Sequence, residues 1–143
     1  GWMVLPEALV RSVERLQQNI AISVPALSQV AAEAAFDGRG EMEAVKHGYE
    51  ANRRLLLEGL PGARLERFLP VDGAFYLYAD ISRFSNDSLD FAKRMLAEAG
   101  VAATPGIDFD PVNGHKFLRF CYAGSTPDMR EAVERIGHWL RRY

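Results

Sequence analysis

The sequence has 143 residues, of which 48% are hydrophobic and 25% are charged, with a formal net charge of −2 at pH 7. These values suit one globular domain, or a domain with an appendage, and argue against disorder. They give no electrostatic reason to expect binding to nucleic acid or to an anionic membrane. No apolar run reaches the roughly 20 residues of a membrane helix. A single cysteine, Cys121, excludes an internal disulfide framework and a cysteine-built zinc site, and we expect a cytoplasmic protein.

The first 36 residues predict two helices. In LPEALVRSVERLQQNI, Pro6 occupies a helix start and apolar residues recur at helical spacing. Pro25 interrupts that pattern, and a second helix rich in small residues is predicted from there. Nothing later in the sequence obviously covers the apolar surface of these helices. The opening stretch GWMVLP is also bulky and apolar without the features of a signal peptide, so we expect the sequence to be part of a larger protein.

A compact domain is predicted after the break DGRG at 37–40. Its predicted elements are, in chain order, the helix EMEAVKHGYEANRRLLLEGL ended by the Pro-Gly pair at 61–62, the strands ARLERFLP and GAFYLYADI, the helix NDSLDFAKRMLAEAG, the short strand VAATPG, the strand within KFLRFCYAGS, and the helix STPDMREAVERIGHWLRRY. Asp87 or Ser88 is the expected N-cap of the helix NDSLDFAKRMLAEAG, and Gly100 is its expected end. Thr126 is the expected N-cap of the last helix. The order α-β-β-α-β-β-α predicts an α+β fold, a small mixed or antiparallel sheet with helices on one face.

The strand within KFLRFCYAGS, residues 116–125, contains the candidate binding residue. Alternation places Leu118 and Phe120 on one face and Arg119 on the other, between Phe117 and Cys121. A guanidinium keeps its charge, so a buried one needs an anionic partner. An edge-strand arginine with its charge in water and its stem over apolar surface is the alternative. The strand pattern alone leaves both open.

The sequence contains no phosphate-binding glycine loop, no HExxH and no GxSxG, and we predict no metal site and no catalytic residue in it. Asp108 and Asp110 could form a carboxylate pair, although a solvated loop is the favoured interpretation. Cys121 is expected to be a small buried side chain. Three scattered histidines are expected at the surface or at its boundary with the core: His47, His115 and His138.

The ordered series VDGAFYLYADIS, AGVAATPGIDF and FLRFCYAGS, followed at once by a helix, resembles the C-terminal part of the class I/II pyridoxal-phosphate-dependent aminotransferases of fold type I. Upstream, GWMVLP is similar to the stretch just after the family's cofactor lysine. The stretch QQNIAISVPALSQVAAEAAF is similar to its interdomain region. The resemblance implies that residues 1–40 are an interdomain helical segment, the end of the cofactor domain with its linker. Residues 41–143 would then be the small C-terminal domain.

The resemblance also implies a role for Arg119, which matches the arginine that binds the α-carboxylate of the amino-acid substrate. It implies pyridoxal phosphate as cofactor, an amino acid and a 2-oxo acid as substrates, and a homodimer. The family's Schiff-base lysine and phosphate-binding arginine would precede residue 1, and its pyridinium-pairing aspartate lies further upstream. Lys46, Lys93 and Lys116 lack the context of the cofactor lysine, so we expect this chain alone to be inactive.

Three alternatives stay open. Relatives of the same fold include lyases, decarboxylases and acyl-transferring synthases that use pyridoxal phosphate. An aminotransferase-like domain also serves as the effector domain of some transcriptional regulators. A free-standing ligand-binding or interaction domain is disfavoured, because it would leave the apolar helices within residues 6–36 uncovered. The amino donor and acceptor do not follow from the sequence.

Overall fold

The computed structural model describes residues 2–143, and Gly1, the first residue of GWMVLP, lies outside the described residues. The chain forms two compact units, one reaching to Met42 and the other comprising Glu43–Tyr143. The first contains helices α1 (Glu7–Ile20) and α2 (Ala26–Ala34). Each follows a proline, Pro6 or Pro25, that serves as N-cap, so both helix starts agree with the sequence to within a residue.

Helices α1 and α2 bury no residue. Leu27 is 82% exposed, and other large apolar side chains of this unit are also exposed: Leu9, Val10, Leu16, Ile20, Val30 and Phe36. Exposed apolar side chains in this number are unfavourable in water and typically mark a contact region. The first unit therefore carries apolar surface that its own helices do not cover.

From Arg39 onward the elements are α3 (Arg39–Gly62), β1 (Tyr76–Asp80), α4 (Ser88–Ala99), β2 (Thr104–Pro105), β3 (Phe117–Cys121) and α5 (Thr126–Leu140). Two single 3-10 turns, Gly106–Asp108 and Gly114–Lys116, lie between β2 and β3. The strands form an antiparallel sheet in the order β1-β3-β2. The predicted α+β class with a small antiparallel sheet is confirmed.

The two faces of the sheet differ in composition and burial. Leu77 and Leu118 are fully buried, and their face packs with apolar side chains of α3, α4 and α5: Leu56, Leu60, Phe91, Met95, Ile136, Trp139 and Leu140. The opposite face, which carries Tyr76, Tyr78 and Arg119, is only partly buried. Alternation along β1 and β3 therefore directs apolar side chains into the core and polar or aromatic ones to an open face.

The predicted strand ARLERFLP is wrong. Only Phe68 forms an isolated bridge, to Ala79 of β1. The C-terminal end of α3 lies just before this segment, because the helix continues through Pro61 and Gly62, where it was predicted to stop. It closes at Arg64, whose φ is 70°, while the Leu65 N–H donates to the Leu60 carbonyl at 3.0 Å. This turn shortens the segment available for pairing before the next proline, which has no N–H to donate.

The helix caps follow the sequence closely. The Asp87 carboxylate accepts from the N–H groups of Leu89 and Asp90, at 3.1 and 3.0 Å, and Gly100 ends α4 with a φ of 67°. At α5 the cap is Ser125, whose hydroxyl accepts from Asp128, and the prediction of Thr126 is wrong by one residue. The Thr126 hydroxyl is instead engaged with a buried side chain of α3, described below.

Candidate carboxylate-binding site

Arg119 lies at the centre of the middle strand. In the register of the sheet it faces Tyr78 of β1 on one side and Thr104 of β2 on the other. Its side chain is on the open face, as the alternation predicted, while Leu118 and Phe120 are buried in the core. Two neighbouring strands therefore fix the backbone from which the guanidinium extends.

The Arg119 guanidinium is held by aromatic rings. Its central carbon lies 4.1 Å from the ring centroid of Tyr76 and 4.2 Å from that of Phe109. Nη2 donates a long hydrogen bond of 3.4 Å to Oγ1 of Thr104. Ring quadrupoles attract a cation without neutralising it, so these contacts hold the charge in place and leave it available to an anion.

Arg119 has no anionic partner among residues 2–143, since none of the ion pairs formed there includes it. Its Nε is buried and makes no hydrogen bond. A buried N–H without an acceptor is unfavourable and needs an explanation. The burial of this Nε does not fit the alternative of an edge-strand arginine whose charged group lies in water. A cation with unused donors and no internal counter-ion is the chemistry of an anion site.

The end of β3 is fixed by Asn52 of α3, which is 1% exposed. Its Nδ2 donates to the carbonyl oxygens of Tyr122 and Gly124, at 3.0 and 2.8 Å. Its Oδ1 accepts from the hydroxyl of Thr126 at 2.7 Å. The sequence analysis missed Asn52. The only signal available there was an amide side chain next to the apolar side of the predicted helix.

The segment after β2 supports the ring of Phe109. A Cβ on Gly106 would meet the Gly114 carbonyl oxygen at 2.5 Å, so the two backbones approach as only glycine permits. The Tyr78 hydroxyl donates to the Gly106 carbonyl at 3.3 Å. Asp110 accepts from the N–H groups that follow it at positions 112 and 113. Those hydrogen bonds lower the pKa of Asp110, while burial, with a smaller contribution from the Asp110 charge, raises the pKa of Tyr78.

The other candidates contribute no chemistry here. Asp108 is exposed and Asp110 caps its own loop, in agreement with a solvated loop and not with a carboxylate pair. The prediction of a buried Cys121 is wrong, because this thiol ends β3 on its open side and is exposed. All three histidines are exposed, as predicted: His47, His115 and His138. The described residues contain no group of three side chains suited to a metal ion.

The residues around Arg119 suit a carboxylate better than they suit a phosphorylated cofactor. Lys46 and Lys93 are exposed on helices α3 and α4, and Lys46 pairs with Glu43 at 3.2 Å. Lys116 is half-buried just before β3; hydrogen bonds from Ser82, with smaller contributions from the charges of Arg67 and Lys116, lower the pKa of Asp80. In the described part of the chain, none of these amines hydrogen bonds to a residue around Arg119. Among residues 2–143, these three amines therefore do not join Arg119 in a set that would hold pyridoxal phosphate.

The family described as aminotransferase class I and II matches residues 1–136. This chain therefore belongs to the class I and II aminotransferases, and the resemblance seen in its motifs is confirmed. No helix among residues 2–143 combines the length and apolar character needed to cross a bilayer.

Named relatives share the fold and much of the sequence. The valine–pyruvate aminotransferase of Mycobacterium tuberculosis is 47% identical over 142 residues, which cover 98% of this chain and 37% of the relative. The aspartate/prephenate aminotransferase of Thermus thermophilus is 34% identical over 146 residues, which cover 99% and 37%. The crystal structure of an aminotransferase from Mycobacterium tuberculosis matches with a TM-score of 0.93 and 46% identity, over 100% of this chain and 38% of that one. The chain thus spans little more than a third of the length of these relatives.

Proposed function

We propose that the whole protein is a pyridoxal-phosphate-dependent aminotransferase, and that Arg119 binds the α-carboxylate of its amino-acid and 2-oxo-acid substrates. Family membership supports the class of reaction. The observation that carries the role of Arg119 is its guanidinium, held by two rings with a buried, unpartnered Nε and no ion pair among the described residues.

The chemistry of Arg119 fits this role. A planar guanidinium presents N–H groups in a fork that matches the two oxygens of a carboxylate. Partial removal of water strengthens the attraction between the two charges. A substrate held at its carboxylate loses rotational freedom, which orients its Cα–H bond for reaction. In an aminotransferase the cofactor supplies the electron sink, and its binding groups belong to the rest of the whole protein in this proposal.

We assign the remaining parts of the chain accordingly. Residues 1–40 form an interdomain segment, and residues 41–143 form the small domain that carries Arg119. The exposed apolar surface of α1 and α2 packs on the cofactor domain and on the second subunit of a homodimer, because side chains such as Leu27 gain most from being covered. The whole protein is cytoplasmic in this proposal.

The test is transamination by the whole protein loaded with pyridoxal phosphate. Valine and pyruvate are the first pair to assay, because a relative at 47% identity is a valine–pyruvate aminotransferase. Other amino acids and 2-oxo acids follow, and alanine or the matching product is quantified. Valinamide, whose carboxylate is replaced by a neutral amide, is the control. The proposal expects amino transfer from the free amino acid and little from the amide. Absence of transfer with every pair, or release of carbon dioxide in its place, would contradict it.

A further inference from the structure

Phe109 is half-exposed and lies against Arg119. Its side chain is 51% exposed, and it contributes nothing to the buried core. Yet its ring centroid lies 4.2 Å from the guanidinium carbon of Arg119. A ring in this position attracts the cation and helps to hold it in place.

The loop that carries Phe109 is held by many short-range contacts. The N–H groups of Phe109 and Asp110 both donate to the Gly106 carbonyl, at 2.9 and 3.0 Å. The N–H of Gly114 donates to the Asp110 carbonyl at 2.9 Å, which closes the loop on itself. Together with the close Gly106–Gly114 approach, these bonds fix the backbone from which the ring extends.

The two rings reach Arg119 from opposite neighbours of β3. Tyr76 belongs to β1, whereas Phe109 follows β2, and the sheet order is β1-β3-β2. A long arginine side chain would otherwise sample many rotamers on an open sheet face, and ordering it on ligand binding would weaken affinity. Rings on both sides restrict the guanidinium before the ligand arrives.

We infer that Phe109 is a positioning residue for carboxylate recognition, which acts by holding the Arg119 guanidinium in its binding orientation. This inference rests on the proposed function. Loss of the ring weakens the binding of carboxylate ligands and leaves the chemical steps nearly unchanged. The effect appears in KM and in ligand affinity, with little change in kcat.

The test compares whole-protein variants for binding of isovalerate, the carboxylate that corresponds to valine without its amino group. Phe109→Leu and Phe109→Met both remove the ring and keep an apolar side chain. Each is expected to weaken isovalerate binding by about 5- to 30-fold, the range of a partly desolvated cation–π contact. The KM for valine should rise similarly, with kcat within about threefold of the wild type. Phe109→Tyr keeps the ring and should bind within about threefold of the wild type.

Val112→Ala is the matched control, because Val112 is an apolar side chain of the same loop, 73% exposed, and it takes no part in the hydrogen bond or the ring contacts described for Arg119. It should bind isovalerate as the wild type does. Wild-type affinity in Phe109→Leu and Phe109→Met, or a Phe109→Tyr variant as weak as they are, would overturn the inference and leave the role of Arg119 intact. A wild-type protein that binds isovalerate no better than isovaleramide would overturn the proposed carboxylate site itself.

Discussion

Replacing Arg119 with lysine keeps the positive charge on β3 and removes the planar fork. Two parallel N–H···O bonds to a carboxylate become one, and the contact with the rings of Tyr76 and Phe109 is weakened. A hydrogen bond to a charged group contributes about 1.5–3 kcal/mol, and a cation–π contact about 0.5–2 kcal/mol. Since lysine recovers part of both, we expect a loss of about 2–4 kcal/mol in transition-state binding, or roughly 30- to 1000-fold in kcat/KM.

Stability should respond very differently to Arg119→Lys. Among residues 2–143 no carboxylate pairs with Arg119, so the substitution leaves no internal charge unpaired, and it removes the unsatisfied Nε. The assay measures kcat/KM and the thermal midpoint of the whole protein side by side. Arg83→Lys is the matched control, because Arg83 is exposed and pairs weakly with Glu66 at 3.8 Å. Activity retained within a few-fold, together with a sharply lower midpoint, would refute the reasoning and make Arg119 a structural residue.

Three further predictions concern the scaffold. Gly59→Ala places a Cβ 2.8 Å from a side chain of α5 and should lower stability by about 1–3 kcal/mol. Gly48→Ala, on the same helix but in open space, should raise stability by up to about 1 kcal/mol. Equal shifts in the thermal midpoint of the two variants would contradict this prediction. Asn52→Ala leaves the buried carbonyl of Tyr122 and the part-buried carbonyl of Gly124 without this donor and should cost about 2 kcal/mol or more, read from the denaturant midpoint; an unchanged midpoint would show that these hydrogen bonds do not stabilise the fold. The pKa of Asp110 is lowered, so its stabilising effect is complete above the ordinary aspartate value of about 4 and is lost as pH falls through the lower folded value. The stability difference between wild type and Asp110→Ala should therefore shrink below about pH 4, and a constant difference would argue against the cap.

The face on which Arg119 lies could be predicted because strand alternation is a local property of the chain. Its surroundings could not. Tyr76 reaches it from β1 and Phe109 from the loop after β2, and only the sheet order brings the two rings together. Asn52 escaped prediction for the same reason, since its backbone partners are 70 and 72 residues away.

Local errors had local causes. The strand expected from residue 63 was lost because Arg64, in a left-handed conformation, extends the end of α3. Ser125 caps α5 because the Thr126 hydroxyl is already bonded to the buried Asn52. Cys121 was predicted to be buried from its residue type, although it ends its strand on the open side. The cofactor and the substrates came only from the family resemblance, since no pattern of spacing in this chain indicates them.

The most direct test of the role of Arg119 is a crystal structure of the whole protein with isovalerate bound. We predict both carboxylate oxygens at about 2.7–2.9 Å from two guanidinium nitrogens of Arg119, with the rings of Tyr76 and Phe109 still against that group. A carboxylate bound elsewhere, or Arg119 paired with a carboxylate of the protein itself, would contradict it.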